Sequence, residues 1–158
     1  ALVSAGVAPA IQRVGLRYLD EIRVPDPKVA DARLWSDWVD ASLVDHLRLG
    51  PDGAPVARAD GTISYDLGDY KGLNFRFAAL PHGAVVVPGN LVRRPFAENV
   101  PFFVLDFDGY QDFTGPKATL LSADVVALTL DAVHGPAGET FQKAITDQAR
   151  ELFRGEKL

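Results

Sequence analysis

No cysteine occurs anywhere in the 158 residues. That absence closes three classes at once: a disulfide framework, a thiolate-bound zinc and a cysteine nucleophile. Methionine is missing too, even at the first position, so the start has been processed or trimmed, or the chain belongs to a longer product. Basic charge is in deficit, with 16 Lys and Arg against 21 Asp and Glu. A chain so balanced lacks the general basic face that releases counterions from a phosphate backbone, which leaves nucleic acid only a local patch. Long apolar runs are absent as well. The apolar opening, residues 1–10, has no basic leader and is far too short to span a bilayer, so no membrane partner is expected. Gly68-Asp69-Tyr70-Lys71-Gly72 has neither the spacing nor the strand-to-helix setting of a phosphate loop. His46, His82 and His134 stand far apart in sequence, without metal-ligand spacing and without a Gly-x-Ser-x-Gly elbow, so satisfied or solvated imidazoles are expected and no catalytic residue is assigned.

What is present is an ordinary globular balance, 47% hydrophobic and 23% charged. A chain of this length buries about two-thirds of the surface its unfolded form exposes, enough for one packed core. A single domain over 1–158, soluble and cytoplasmic, is the expectation. Val14, Leu16, Tyr18, Ile22 and Val24 alternate with Arg17, Glu21 and Arg23, the period of a half-buried strand. Asp20 falls on the apolar phase, which calls for a bulge or for a polar group held inside. Pro25-Asp26-Pro27 ends that strand. Residues 32–49, with Trp35 and Trp38, read as a helix whose apolar residues scatter around the wheel. Gly50-Pro51-Asp52-Gly53 marks a turn, and Asp60-Gly61 a second that would close a hairpin.

Ile63–Leu67 and Leu73–Ala78 alternate as an antiparallel pair, whereas 84–87 and 102–105 are continuously apolar and suit strands covered on both faces. Ser122 reads as the N-cap of a helix ending at Gly135-Pro136, and residues 139–153 carry the stripe Phe141, Ile145, Ala149, Leu152. The expected fold is α+β: a mainly antiparallel sheet of about five strands with two C-terminal helices packed on one face.

Asp106 and Asp108 share one phase of their strand, with Asp112 beyond them. Two carboxylates so placed could hold a hard cation or divide into an acid and a base, but the flanking sequence supplies too few further ligands, so no metal site is assigned. Arg17 and Arg76 lie on the phase opposite the apolar residues of their own strands. If those strands are neighbours, arginines and aspartates meet on one sheet face, as a structural ladder or as a polar groove that binds an anionic group. Trp35 and Trp38 read first as core anchors and second as an interface hot spot, and Arg93-Arg94 beside Phe96 as a loop or contact rim.

Arg13-Val14-Gly15-Leu16-Arg17-Tyr18-Leu19-Asp20-Glu21-Ile22, followed by Leu105-Asp106-Phe107-Asp108 and Phe141-Gln142-Lys143-Ala144-Ile145-Thr146-Asp147, resembles a sporadically distributed, uncharacterised bacterial protein family over about Ile11 to Phe153. The resemblance brings no activity, cofactor or catalytic residue. Family members commonly carry another domain-sized segment before this motif, so it implies a C-terminal domain, a natural short form or a fragment. The function expected is a non-catalytic interaction module without a cofactor, binding itself or another bacterial protein through Trp35, Trp38 or the loop at Arg93, Arg94 and Phe96. The alternative is a small-molecule or enzyme domain using Arg17, Arg76, Asp106 and Asp108.

Overall fold

Four long strands, each short in prolines and alternating in polarity or continuously apolar, make one antiparallel sheet. The structure, a computed structural model, describes residues 10–24, 32–81 and 100–155. Strand β1 (Ala10–Ile11) precedes β2 (Arg13–Ile22); β3 (Ala59–Gly68), β4 (Lys71–Leu80) and β5 (Phe102–Asp112) follow, then β6 (Thr119–Leu120), α1 (Ala123–Ala144) and α2 (Asp147–Arg154). The large sheet runs β2-β5-β4-β3, and β1 pairs with β6 in a small second sheet. This is the α+β class expected, with antiparallel pairing throughout. Asp69 and Tyr70 join β3 to β4 with φ of 53° and 62°. Positive φ at both central residues gives the twist that two-residue hairpins favour.

Alternation sends Ile22, Leu73, Phe75, Phe77, Phe103, Leu105 and Phe107 to one face, where they are buried. Phe75 stacks on Phe107 with ring centroids 4.7 Å apart, and Phe103 tilts against Trp35 at 5.7 Å. Over this face lie α1, α2 and the 32–49 segment, through Val39, Leu43, Ala137, Ala144, Ile145 and Ala149. Helix α1 comes close to β5 because Gly109 has no side chain: a Cβ there would stand 3.2 Å from Val133.

Three expectations are corrected. Residues 32–49 form no α-helix but 3₁₀ turns at Ala32–Asp37, Ala41–Leu43 and Asp45–Leu49. The backbone of 38–40 pairs elsewhere: Asp40 N–H donates to the Ala144 carbonyl at 2.9 Å and Thr146 N–H to the Trp38 carbonyl at 3.1 Å. Successive turns face different neighbours, which is why the apolar residues scatter on a helical wheel. Asp60-Gly61 lies inside β3 rather than in a turn. Helix α1 runs through Gly135-Pro136 to Ala144. An interior proline costs about 3 kcal/mol, and burial of Val133 and Ala137 on either side of it offsets that loss.

The chain breaks instead at Ile145, which is extended and forms a β-bridge with Val39, and Thr146 then caps α2. Ser122 caps α1 as expected, accepting from Val125 N–H at 3.2 Å. The expected strand at 84–87 and the turn at Pro25-Asp26-Pro27 lie outside the described residues. No described helix is long and apolar enough to cross a membrane.

Candidate functional site

The second face of the sheet is built by the other phase of the same strands. In β5 that phase carries Phe102, Val104, Asp106, Asp108, Tyr110 and Asp112; in β2, Arg13, Arg17, Leu19 and Glu21; in β4, Asn74, Arg76, Ala78 and Leu80; in β3, Asp60, Thr62, Ser64 and Asp66. Arg76 stands directly opposite Asp106, while Arg17 stands opposite Asp108 and reaches Asp106 along the diagonal. Arg17 donates from Nε and Nη2 to the two carboxylate oxygens of Asp106, both at 2.8 Å. Arg76 adds a bond from Nη1 to the same carboxylate at 3.3 Å and holds Nη2 at 3.9 Å from Asp108. Arg17, Arg76, Asp106 and Asp108 therefore meet.

The arrangement is asymmetric. Asp106 retains only 6% of its exposure, whereas the side chains of Arg17 and Arg76 keep 38% and 45%. A nearly buried carboxylate thus pins two guanidinium groups that still face solvent. The fork of Arg17 engages Asp106 through one edge, leaving its Nη1 donors for another acceptor. Bonding to Asp106 raises the pKa of Arg17, so its charge is fixed across all working pH.

Beside this pair opens a pocket of about 420 Å³ lined by the charged Arg17, Arg58, Arg76, Asp60 and Asp106 together with the apolar Leu19, Ala78, Leu80 and Val104. Arg58 pairs with Asp60 at 3.4 Å, both well exposed. Neither residue was among the expected site residues. Their signal was present, since Asp60, Thr62, Ser64 and Asp66 form an unbroken polar phase, but Asp60-Gly61 resembled a turn. The polar face continues away from the pocket through the Ser64–Asn74 hydrogen bond at 2.8 Å and the Arg13–Asp112 pair at 2.6 Å.

A cation does not suit Asp106 and Asp108, because the positions around Asp106 are taken by two guanidinium groups that repel it. Trp35 and Trp38 are 1% and 8% exposed and belong to this chain's own core, the first of their two readings. The sheet face and the 144–146 strap already cover them, leaving no free surface for an interface role. Arg93, Arg94 and Phe96 lie outside the described residues, as does His82. His134 joins Tyr18, its Nδ1 2.7 Å from the phenol oxygen, and so fastens α1 to the edge strand β2. His46 sits edge-on to Phe77. Asp20 occupies the covered phase without any bulge in β2, and burial raises its pKa.

Compared with family models, curated proteins and solved structures, the chain matches none.

Proposed function

We propose that this domain is a binding module whose open sheet face takes a small anionic molecule at Arg17, Arg58 and Arg76. The observation that carries this is the buried Asp106 holding two half-exposed arginines at the rim of a 420 Å³ pocket. A surface ladder made only for stability gains about 1 kcal/mol or less per pair and has no use for a nearly buried carboxylate under exposed guanidinium groups. Preorganised arginines are the usual means of holding carboxylate or phosphate oxygens. The pocket size falls at the lower end of the range of about 300–1,000 Å³ for small-molecule sites, too small for a polymer. A bacterial cytoplasmic setting is part of the proposal.

Calorimetric titration with acetate and inorganic phosphate tests it. Saturable binding that weakens at least tenfold in the Arg58→Gln/Arg76→Gln variant supports the proposal, and absence of binding to both anions and to longer carboxylates overturns it.

A second reading, an interaction module, is favoured by the edge strand β3. Among the described residues it pairs only with β4, and its Ile63 and Tyr65 are 38% and 40% exposed. An unpaired edge with apolar side chains invites a further strand. Sedimentation above the 17.1 kDa monomer mass, abolished by Ile63→Lys, would support it. A monomer at high concentration and no pairing partner would remove it.

A further inference from the structure

The open face is not uniformly polar. Along β4 the sequence of outward residues is Asn74, Arg76, Ala78, Leu80, and along β5 it is Asp108, Asp106, Val104, Phe102. On β2, Arg17 is followed on the same phase by Leu19. On β4 and β5 the change from polar to apolar falls at the same level, between Arg76–Asp106 and Ala78–Val104, and on β2 it falls one pair earlier, with Leu19 opposite Asp106 and Glu21 opposite Val104; the Arg76–Asp106 pair lies on the boundary. The pocket straddles that boundary: Arg17, Arg76 and Asp106 line it on one side, with Leu19 beside Asp106; Ala78, Leu80 and Val104 line it on the other; and Arg58 and Asp60 of the β3 end flank the apolar side, Asp60 standing opposite Ala78. The apolar part, Ala78 to Leu80, extends along about 7 Å of strand, and the whole stretch from Arg76 to Leu80 along about 13 Å, at roughly 3.3 Å per residue.

The charge of the lining is small. Among the described residues three arginines face two aspartates in the lining, and Asp108 stands just behind Arg76. Their excess is therefore one positive charge at most. A monoanion is matched by it; a dianion such as a phosphate monoester meets Asp60, Asp106 and Asp108 with a charge left over. An anion without an apolar portion would also leave Leu19, Ala78 and Leu80 facing water.

We infer that the ligand is an amphipathic monocarboxylate, its carboxylate on the free donors of Arg17 and Arg76 and its hydrocarbon portion along Leu19, Ala78, Leu80 and Val104. This inference rests on the anion-binding reading above and narrows it to one ligand class. Binding then strengthens with chain length. Each methylene taken from water into the apolar half adds up to about fourfold in affinity, and the gain stops once the chain outruns Leu80.

The test is calorimetry on the whole chain with acetate, butyrate, hexanoate and octanoate, with octyl phosphate and inorganic phosphate alongside. The expected result is a stepwise rise from acetate to octanoate, octanoate above octyl phosphate, and loss of the chain-length dependence in Leu80→Asn or Leu19→Asn with acetate binding retained. Equal affinity for all the carboxylates, or tighter binding of either phosphate, overturns the monocarboxylate inference while leaving the anion site standing. No binding of any of the six compounds removes both. Circular dichroism of the two leucine variants shows whether each is folded. If one is not, the other carries the comparison, and the wild-type series decides the inference by itself.

Discussion

The two faces of the four-stranded sheet are made by alternate residues of the same strands, yet they are built on opposite physical grounds. The covered face brings together Phe75, Phe77, Phe103 and Phe107, all buried, under helix α1, which contributes Val133, Ala137 and Ala144, and the joint at Ile145. Its stabilisation grows with apolar area, at about 25 cal/mol per Å². The open face joins charged and polar groups in a row, Arg13–Asp112, Arg17–Asp106–Arg76 and Asn74–Ser64. Pairs of that kind contribute little to stability when exposed. One face thus accounts for the fold, and the other is the face to which the proposed ligand binding is assigned. The exceptions on each side are instructive: Asp20 is a charge on the covered phase, while on the open one Asp106 and Glu21 are buried carboxylates held by arginines and Phe102 and Val104 are buried apolar residues.

The sharpest break in this comparison is Ile145→Asp. Ile145 is 4% exposed at the joint between α1 and α2, so the variant buries an unpaired carboxylate and loses about 4 kcal/mol, enough to unfold much of the population. Urea unfolding followed by circular dichroism measures it; an unchanged midpoint would show that the joint is not part of the core. Asp106→Asn comes next. Its two arginines are left side by side but in reach of water, so the loss is about 2 kcal/mol, together with loss of the anion site. Stability unchanged with binding intact would make Asp106 incidental.

Arg13→Ala has a smaller effect. Its pair with Asp112 is mostly exposed, and the expected change is below about 1 kcal/mol. Thermal unfolding checks this, and a loss as large as that of Ile145→Asp would undo the division between the faces.

Asp20→Asn is smallest and differs in sign. Burial raises the folded-state pKa of Asp20 above its ordinary value of 3.8, so folding favours its protonated form. Below the unfolded value the group is neutral in both states and costs nothing. As pH rises through the folded value, the wild type must ionise a half-buried carboxyl and loses stability, as linkage requires. The Asn variant therefore melts above the wild type at pH 7, and the difference closes toward pH 3. A difference that grows on acidification would contradict the burial argument.

Much of the fold was legible because the strands obey a simple period. β2, β3 and β4 alternate, β5 opens with a continuous apolar run, and Arg17, Arg76, Asp106 and Asp108 follow from phase alone. Two elements were not legible for identifiable reasons. Residues 38–40 of the 32–49 segment take backbone partners from 144–146, more than a hundred residues away, and nothing local announces that. Pro136 is a breaker by local chemistry, overridden by the burial of Val133 and Ala137 around it. At the site, phase predicted which side each charge faces but not the register. Whether Asp106 or Asp108 would be the buried one was set by strand pairing, and Arg58 and Asp60 entered the pocket only because β3 begins earlier than its apolar residues suggest.

The central claim is that the open face binds while the covered face stabilises, and the Arg58→Gln/Arg76→Gln variant separates the two most directly. Arg17 still holds Asp106 in it through two bonds, so the carboxylate is not left unpaired. Unfolding free energy and octanoate affinity, measured on the same preparation, should show stability within about 1 kcal/mol of the wild type and affinity reduced at least tenfold. A variant that loses several kcal/mol of stability yet binds octanoate as the wild type does would contradict the account.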